Sequence, residues 1–293
     1  GRFREFTQID ADIVGSKNNL ADAEMCSLIS DTLIKCGLEK KDFVINLSNR
    51  KLIQGLINQL KINSAKQKLT VIRAIDKLDR IGMSGVEQLL KKGRKDQSGD
   101  FTKGADLSDA QASEVINFLK LKDISDIKNI LTDKLAIEGI NEIQKILEGI
   151  KYSGYESQIN FNPTVVRGLE YYTGAIFEAN LTFKVKNLKG KEVEFGSIGG
   201  GGRYDNLVSR FNKIDLPATG ISIGLDRLIF ALTQLEKINY SNKEPVIICI
   251  LDEKYLPKYY EILKELRDTD INSEIYLGDS SLKSQLKYAD KRN

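Results

Sequence analysis

Histidine is absent from this 293-residue chain, and that absence restricts the available chemistry more than any other feature of the composition. Without imidazole, the protein cannot use a Ser-His-Asp or Cys-His arrangement, histidine-ligated zinc or imidazole acid–base catalysis. Any catalysis must therefore depend on carboxylates, on the charge of arginine and lysine, on oxygen-bound metal ions or on backbone dipoles.

Cysteine is scarce, and long apolar runs are missing. Cys26, Cys36 and Cys249 are odd in number and far apart, which predicts reduced thiols in a cytoplasmic protein rather than disulfides. No run approaches the roughly 20 apolar residues that cross a bilayer, and the stretch that follows Gly1 does not resemble a signal peptide. We therefore expect neither membrane insertion nor secretion.

Positively charged residues are only slightly more numerous than negatively charged ones. The formal net charge is +3, which does not by itself indicate a nucleic-acid partner. Hydrophobic residues make up 41% of the chain and charged residues 29%, which is the balance of a globular protein. The length predicts two or three domains.

Apolar periodicity predicts strands at 1–15 and 43–47 and a helix at 20–36. Residues 51–150 have helical spacing on either side of a polar gap at 91–104, which indicates a helical module inserted between strands. The lysines of this module fit a solvated surface, and an RNA-binding patch is the alternative.

The second half of the chain again carries strand patterns. We predict a hairpin between 172–183 and 193–198, and an α/β module with a parallel sheet at the carboxyl end. The full set comprises strands at 159–167, 172–183, 193–198, 218–225, 246–251 and 271–277, and helices at 203–211, 226–238 and 257–266.

One face of the first strand is a row of polar and aromatic groups. The odd positions become apolar toward the end of the strand, whereas the even positions carry Arg2, Arg4, Phe6, Gln8, Asp10 and Asp12. A strand with one solvated face alternates in the same way. The pattern alone leaves both a solvent-facing and a ligand-facing interpretation open.

Three further segments contain residues suited to ligand binding. Residues 165–174 place an arginine beside a glycine and two adjacent tyrosines, Tyr171 and Tyr172. The run Gly199–Gly202 is either a flexible loop or a place where the backbone approaches a ligand closely, and it matches no dinucleotide or P-loop fingerprint. Residues 220–227 combine small residues with an arginine at a predicted helix start.

Together these segments resemble the histidyl-tRNA synthetases, a family of class II aminoacyl-tRNA synthetases. GRFREFTQIDADIVG is similar to the second strand of motif 2, VVRGLEYYTG and GGGGRYDNLV to the two histidine-specific motifs, and GISIGLDRL to motif 3. The resemblance covers nearly the whole chain and is weakest in the helical insertion. It implies an α+β fold in which an antiparallel catalytic sheet has flanking helices, a helical insertion and a partial α/β anticodon-binding domain.

The resemblance also implies a division of the chain into four parts. Residues 1–51 would be the first part of the catalytic core, from within motif 2, and 52–152 the helical insertion, which closes over the tRNA acceptor arm. Residues 153–240 would be the second part of the core with motif 3, and 245–293 part of the anticodon-binding domain.

The activity implied by the resemblance is that of an ATP-dependent ligase. It would form histidyl-adenylate from histidine and ATP, with Mg²⁺ accompanying ATP, and transfer histidine to tRNA(His). Arg167 would lie at the α-phosphate, Arg2 near the nucleotide and the substrate carboxylate, and Phe6 and Arg227 on the two faces of adenine. The implied histidine-binding residues are Gln8, Asp12, Tyr171, Tyr172, Gly200 and Tyr204.

Some parts of the family pattern do not occur in this sequence. They are motif 1, which builds the family's dimer interface, the first motif 2 strand, and the remainder of the anticodon module. We expect a homodimer for the full-length protein and inefficient aminoacylation by this chain alone.

Two alternatives to the ligase remain at this point. The first is a non-catalytic, histidine-binding regulatory paralogue that partners ATP phosphoribosyltransferase. The second is a domain that senses uncharged tRNA within a stress kinase. The presence of Arg167 and Arg227 favours the ligase, as does the beginning of an anticodon module after Pro245.

Overall fold

The computed structural model describes residues 5–96, 98–166, 171–186, 190–209, 214–238, 244–278 and 281–292. The chain forms two compact units, Gly1–Lys237 and Ile238–Asn293. Within the described ranges, no helix has the length and apolar character needed to cross a membrane.

Twelve strands occur in the described residues. In chain order they are β1 Gln8–Val14, β2 Phe43–Asn49, β3 Gly93–Lys95, β4 Phe101–Lys103, β5 Ile159–Phe161, β6 Ala175–Leu181, β7 Lys184–Lys186, β8 Glu192–Glu194, β9 Ser197–Arg203, β10 Ala218–Gly224, β11 Val246–Ile248 and β12 Ser273–Ile275.

The helices of the described residues flank these strands. They are α1 Leu20–Lys35, α2 Arg50–Gln59, α3 Ala65–Ile75, α4 Leu78–Leu90, α5 Asp109–Leu119, α6 Ile124–Ile130, α7 Lys134–Lys151, α8 Leu225–Gln234, α9 Leu256–Asp268 and α10 Leu282–Arg292, with short 3₁₀ turns at Lys40–Asp42, Glu156–Gln158 and Glu253–Tyr255.

A six-stranded sheet organises the first unit, with the strand order β1-β10-β9-β6-β2-β5. Every neighbouring pair is antiparallel except β2 and β5, which are parallel. The α+β class and the antiparallel sheet that the sequence predicts are therefore confirmed.

The two faces of this sheet differ in polarity because side chains alternate along each strand. One face carries buried apolar side chains such as Ile45, Leu47 and Phe177, and α1 packs against it across β10, β9 and β6. The side chains of Cys26, Ile29 and Leu33 on α1 are fully buried in this core. The other face is polar and carries the candidate site.

Local signals define α1 as the sequence predicts. The helix ends at Lys35, and Gly37 follows with a φ of 109°, a left-handed conformation that glycine adopts readily. The amide of Leu38 donates to the carbonyl of Leu33 at 3.1 Å, and that of Gly37 to Ile34 at 2.9 Å. These two bonds form a Schellman motif, which satisfies carbonyls that the helix end would leave unpaired.

Two sequence predictions are wrong. The run Gly199–Gly202 is no loop but lies inside β9, where β10 and β6 supply hydrogen bonds on both sides. The predicted helix at 203–211 does not begin at its first residue, because Arg203 ends β9 and a turn follows; residues 210–213 lie outside the described residues. The polar gap at 91–104 lies between α4 and α5, as predicted, and it contains the antiparallel pair β3 and β4.

The helices of the predicted insertion, α2 to α7, meet the six-stranded sheet mainly through α7. This helix packs against α2, α1 and the strands β2 and β6. The domain boundaries at 51–52 and 152–153 stay predictions. In the second unit, β11 and β12 pair in parallel with α9 between them along the chain, as the sequence predicts for an α/β module.

Candidate active site

The polar face of the sheet presents three successive rows of residues. Gln8, Asp10 and Asp12 of β1 lie opposite Gly224, Ser222 and Gly220 of β10. Ser222 and Gly220 in turn lie opposite Gly200 and Gly202 of β9. Gln8 and Asp12 stand about 13 Å apart, at about 3.3 Å per residue, so this face can contact an extended ligand along its length.

Glycines form the floor of this face because a side chain would have no space there. A Cβ on Gly202 would lie 2.5 Å from the carbonyl oxygen of Ala175 and 2.9 Å from the ring of Tyr172. A Cβ on Gly200 would lie 2.8 Å from the carbonyl oxygen of Phe177, and one on Gly220 would overlap the Asp12 carboxylate. That the backbone of Gly199–Gly202 approaches a ligand closely remains a prediction, and these glycines lie on a strand rather than in a loop.

Three tyrosines and one carboxylate gather at the Asp12 end of the floor. The rings of Tyr171 and Tyr172 have centroids 4.3 Å apart, and that of Tyr204 is 6.4 Å from Tyr171 in an edge-on arrangement. The Tyr204 hydroxyl donates a hydrogen bond to Oδ1 of Asp12. The four residues therefore form a pocket wall with one negative charge and three phenol groups.

The two inner phenols remain protonated well into the alkaline range. Burial, followed by the neighbouring Tyr171 hydroxyl, raises the pKa of Tyr172 far above its ordinary value. Burial and then the hydrogen bond to Asp12 raise the pKa of Tyr204 in the same direction. Both hydroxyls can therefore donate hydrogen bonds at neutral pH.

The tyrosine segment is anchored to β9 through Thr173. Its amide donates to the carbonyl of Arg203 at 2.8 Å, and its hydroxyl donates to Oδ2 of Asp205 at 2.8 Å. On the other side, the amide of Arg50 donates to the carbonyl of Gly174 at 2.8 Å. The two stretches that resemble histidine-specific motifs thus hold one another in place.

Arg203 itself points away from the site into the core. Its Nη2 and Nε lie 2.7 and 3.0 Å from Oδ2 of Asp22 on α1, and both side chains are almost fully buried. Burial alone lowers the pKa of Arg203, but the hydrogen bonds and charges of Asp22 and Asp205 raise it above its ordinary value. This ion pair connects α1 to the end of β9, and Tyr204 follows Arg203 directly along the chain.

Contacts between the start of β1 and the start of α8 organise the opposite end of the site. The amide of Thr7 donates to Oδ2 of Asp226 at 2.9 Å, and the amide of Leu225 donates to the carbonyl of Thr7 at 2.9 Å. These bonds join the backbone that follows Phe6, a residue that is 58% exposed, to the helix start that carries the exposed Arg227. Next to them along β1, Nε2 of Gln8 donates to the Ser222 hydroxyl.

A buried glutamate, Glu178 of β6, borders the glycine floor opposite Gly200. A chain of side-chain amides leads to it: Asn162 donates to Asn46 at 3.4 Å, Asn46 to Asn180 at 2.9 Å, and Asn180 to Glu178 at 3.0 Å. The sequence motifs do not single out Glu178. The available signal was one acidic residue within a mostly apolar strand, AIFEANL.

The structure brings most of the predicted site residues onto one face. Gln8, Asp12, Tyr171, Tyr172, Gly200 and Tyr204 lie along the glycine floor, with Phe6 and Arg227 at its end. Two predicted residues, Arg2 and Arg167, lie outside the described residues. The individual roles of all these residues stay predictions.

The acidic and cysteine side chains of the described residues are dispersed. Across the described ranges, no group of three or more Asp, Glu or Cys side chains could hold a metal ion. The described side chains therefore do not form a cage for Mg²⁺.

Comparisons with known proteins agree on one family. The family model described as histidyl-tRNA synthetase matches residues 1–228. The chain is 56% identical to the histidine–tRNA ligase of Pelagibacter ubique over 295 residues, with coverage of 99% of the chain and 63% of that protein. It is 44% identical to that of Bartonella bacilliformis over 306 residues, with coverage of 100% and 62%.

A solved structure agrees with these sequence relatives. The crystal structure of histidyl-tRNA synthetase from Nostoc sp. PCC 7120 superposes with a TM-score of 0.70 and 28% identity, covering 99% of this chain and 65% of that one. The chain thus spans less than two thirds of the length of the curated relatives and of this neighbour.

Proposed function

We propose, since the chain belongs to the histidyl-tRNA synthetase family, that it supplies most of the catalytic site of a histidine–tRNA ligase. In the reaction, a carboxylate oxygen of histidine attacks the α-phosphorus of ATP and pyrophosphate leaves. A ribose hydroxyl of the terminal adenosine of tRNA(His) then attacks the acyl carbon, and AMP leaves. The observation that supports this most directly is the Asp12–tyrosine cluster at one end of a glycine floor.

This cluster is suited to an imidazole ring. A neutral imidazole has one nitrogen that donates and one that accepts, so recognition needs two different partners. The Asp12 carboxylate would accept from the N–H group, and the protonated Tyr172 hydroxyl would donate to the other nitrogen. Tyr204 would orient Asp12, and the ring of Tyr171 would pack beside Tyr172.

The rest of the ligand would extend along β1 toward α8. Gln8 is at a position to hold the polar end of the amino acid, and Phe6 and Arg227 stand where the purine would stack. Glycine at 200 and 202 lets the ligand lie directly on the sheet backbone. This order would place the histidine carboxylate between the imidazole pocket and the nucleotide, next to the α-phosphate.

Catalysis would come mainly from alignment and positive charge, since the two reacting groups are both anionic. By resemblance, Arg167 would neutralise the α-phosphate and Arg2 would lie near the nucleotide and the substrate carboxylate. Mg²⁺, when bound, would be held by phosphate oxygens of ATP, as this ion prefers, and would shield their charge.

The larger assembly is part of the same proposal. Residues 52–152 would close over the tRNA acceptor arm, 245–293 would belong to the anticodon-binding domain, and the full-length protein would act as a cytoplasmic homodimer.

Histidine-dependent ATP–pyrophosphate exchange by the full-length protein tests this function. We expect exchange, and we expect Arg167→Ala to lower its rate by about 100-fold or more, the usual effect of removing one group that stabilises transition-state charge. Arg80→Ala, which alters an exposed arginine of α4, is the matched control and should leave the rate unchanged. Histidine binding without exchange would instead support the regulatory paralogue, and binding of uncharged tRNA alone would support the sensor domain.

A further inference from the structure

Arg227 is held in one orientation by the bend that precedes β9. Its Nε donates to the carbonyl of Ser197 and its Nη2 to the carbonyl of Phe195, each at 2.8 Å. Its guanidinium carbon lies 4.5 Å from the centroid of the Phe195 ring. One residue therefore contributes both a hydrogen-bond acceptor and an aromatic surface to the same cation.

Gly196 makes this arrangement possible. Its φ is 76°, in the left-handed region that glycine adopts without strain. The resulting bend turns the carbonyls on either side of Gly196 toward a single guanidinium group.

A second ring fixes Phe195 against α8. Phe195 and Phe230 are stacked with centroids 5.5 Å apart and an angle of 11° between the rings. Phe230 and Arg227 are three residues apart on α8 and so project from the same side of the helix. Phe195 therefore packs against the side of α8 that carries both residues.

We propose that Phe195 is a positioning residue for ATP, acting through Arg227. The phenyl ring supports one face of the guanidinium, and the purine would stack on the face that does not contact Phe195. This inference rests on the proposed function, because it requires Arg227 to bind the adenine of ATP.

The advantage of this support is that the arginine is ordered before the ligand arrives. A flexible arginine loses side-chain freedom when it is immobilised against a ligand, and this lowers affinity. Replacing the ring of Phe195 should restore that freedom and should weaken ATP binding by about threefold to tenfold.

Calorimetric titration of the full-length protein with ATP, inorganic tripolyphosphate and histidine tests the inference. Phe195→Leu should raise the dissociation constant of ATP by about threefold to tenfold and leave those of tripolyphosphate and histidine unchanged, since neither contains a purine. Phe195→Tyr keeps the ring and should bind ATP within about twofold of the original protein. Phe101→Leu, at an exposed phenylalanine of β4, is the matched control.

The outcomes separate this inference from the proposed function. If Arg227→Leu weakens ATP binding but Phe195→Leu does not, Phe195 has no positioning role and the proposed function stands. An equal loss for ATP, tripolyphosphate and histidine would show a general structural defect and would also overturn the inference. If the unaltered protein does not bind ATP, both proposals are wrong.

Discussion

Loss of the carboxylate at Asp22 should strongly destabilise the first unit of the protein. Oδ2 of Asp22 accepts two hydrogen bonds from Arg203, at 2.7 and 3.0 Å, and the two residues are 0% and 3% exposed. Asp22→Ala leaves a guanidinium buried without its main counter-ion. Hydrogen bonds to charged groups contribute about 1.5–3 kcal/mol each, and breaking a buried pair costs about 3–5 kcal/mol.

The remaining partners of Arg203 set the expected value at the lower end of that range. The guanidinium also donates to the carbonyls of Ser16 and Asn18, at 2.9 and 3.1 Å, and lies 3.3 Å from Asp205. We therefore expect Asp22→Ala to lower the free energy of unfolding by about 3 kcal/mol.

Urea unfolding, followed by circular dichroism, measures this effect. The double variant Asp22→Leu/Arg203→Leu removes both charges, so it should recover a large part of the lost stability. Lys35→Ala, which breaks an exposed ion pair with Asp31 on the same helix, should change stability little. A loss below about 1 kcal/mol for Asp22→Ala would contradict the assignment of a strong buried pair, as would a double variant less stable than the single one.

Three further predictions concern the tyrosine pocket. Tyr172→Phe should raise the KM for histidine more than that for ATP, with Tyr152→Phe, an 88% exposed tyrosine, as control; a loss confined to ATP would contradict the placement. Gly202→Ala should displace the Tyr172 ring and weaken histidine binding, as measured by calorimetric titration. An unchanged affinity for histidine would mean that the glycine floor tolerates a side chain. In an ultraviolet titration, Tyr204→Phe should leave the absorbance rise near pH 10 unchanged, because the raised pKa of Tyr204 keeps it protonated there; a smaller rise would refute that shift.

The same pKa shifts determine how stability depends on pH. The folded-state pKa values of Tyr172 and Tyr204 lie above the unfolded value of about 10, so the folded protein holds these protons more tightly. Their stabilising contribution is therefore fully present below about pH 10 and is lost as the pH rises through the folded-state values.

Local patterns were sufficient to predict most elements and one face of the site. The alternation of β1 placed Gln8, Asp10 and Asp12 together before any partner strand was known, because side chains alternate in every extended strand. The predicted helix at 20–36 agrees with α1, which ends just before Gly37, since a left-handed glycine there closes the helix. These features depend on neighbours within a few residues.

Other features of the site depended on partners far away in the sequence. Gly199–Gly202 has little strand propensity of its own and is extended because β10 and β6 pair with it on both sides. Arg203 and Tyr204 are adjacent in sequence, yet one enters the core beside Asp22 and the other reaches Asp12 across the sheet. No local pattern indicates which neighbour each would meet.

The sequence by itself therefore determined most of the helices and strands, the polar side of β1 and the family motifs, because these are properties of short segments. Only the tertiary structure decided that Phe195 packs beside Arg227, that Glu178 borders the floor, and that the tyrosines surround Asp12. The physical reason is that strand pairing and burial bring these residues together. Strand pairing and burial both act between groups that are distant along the chain.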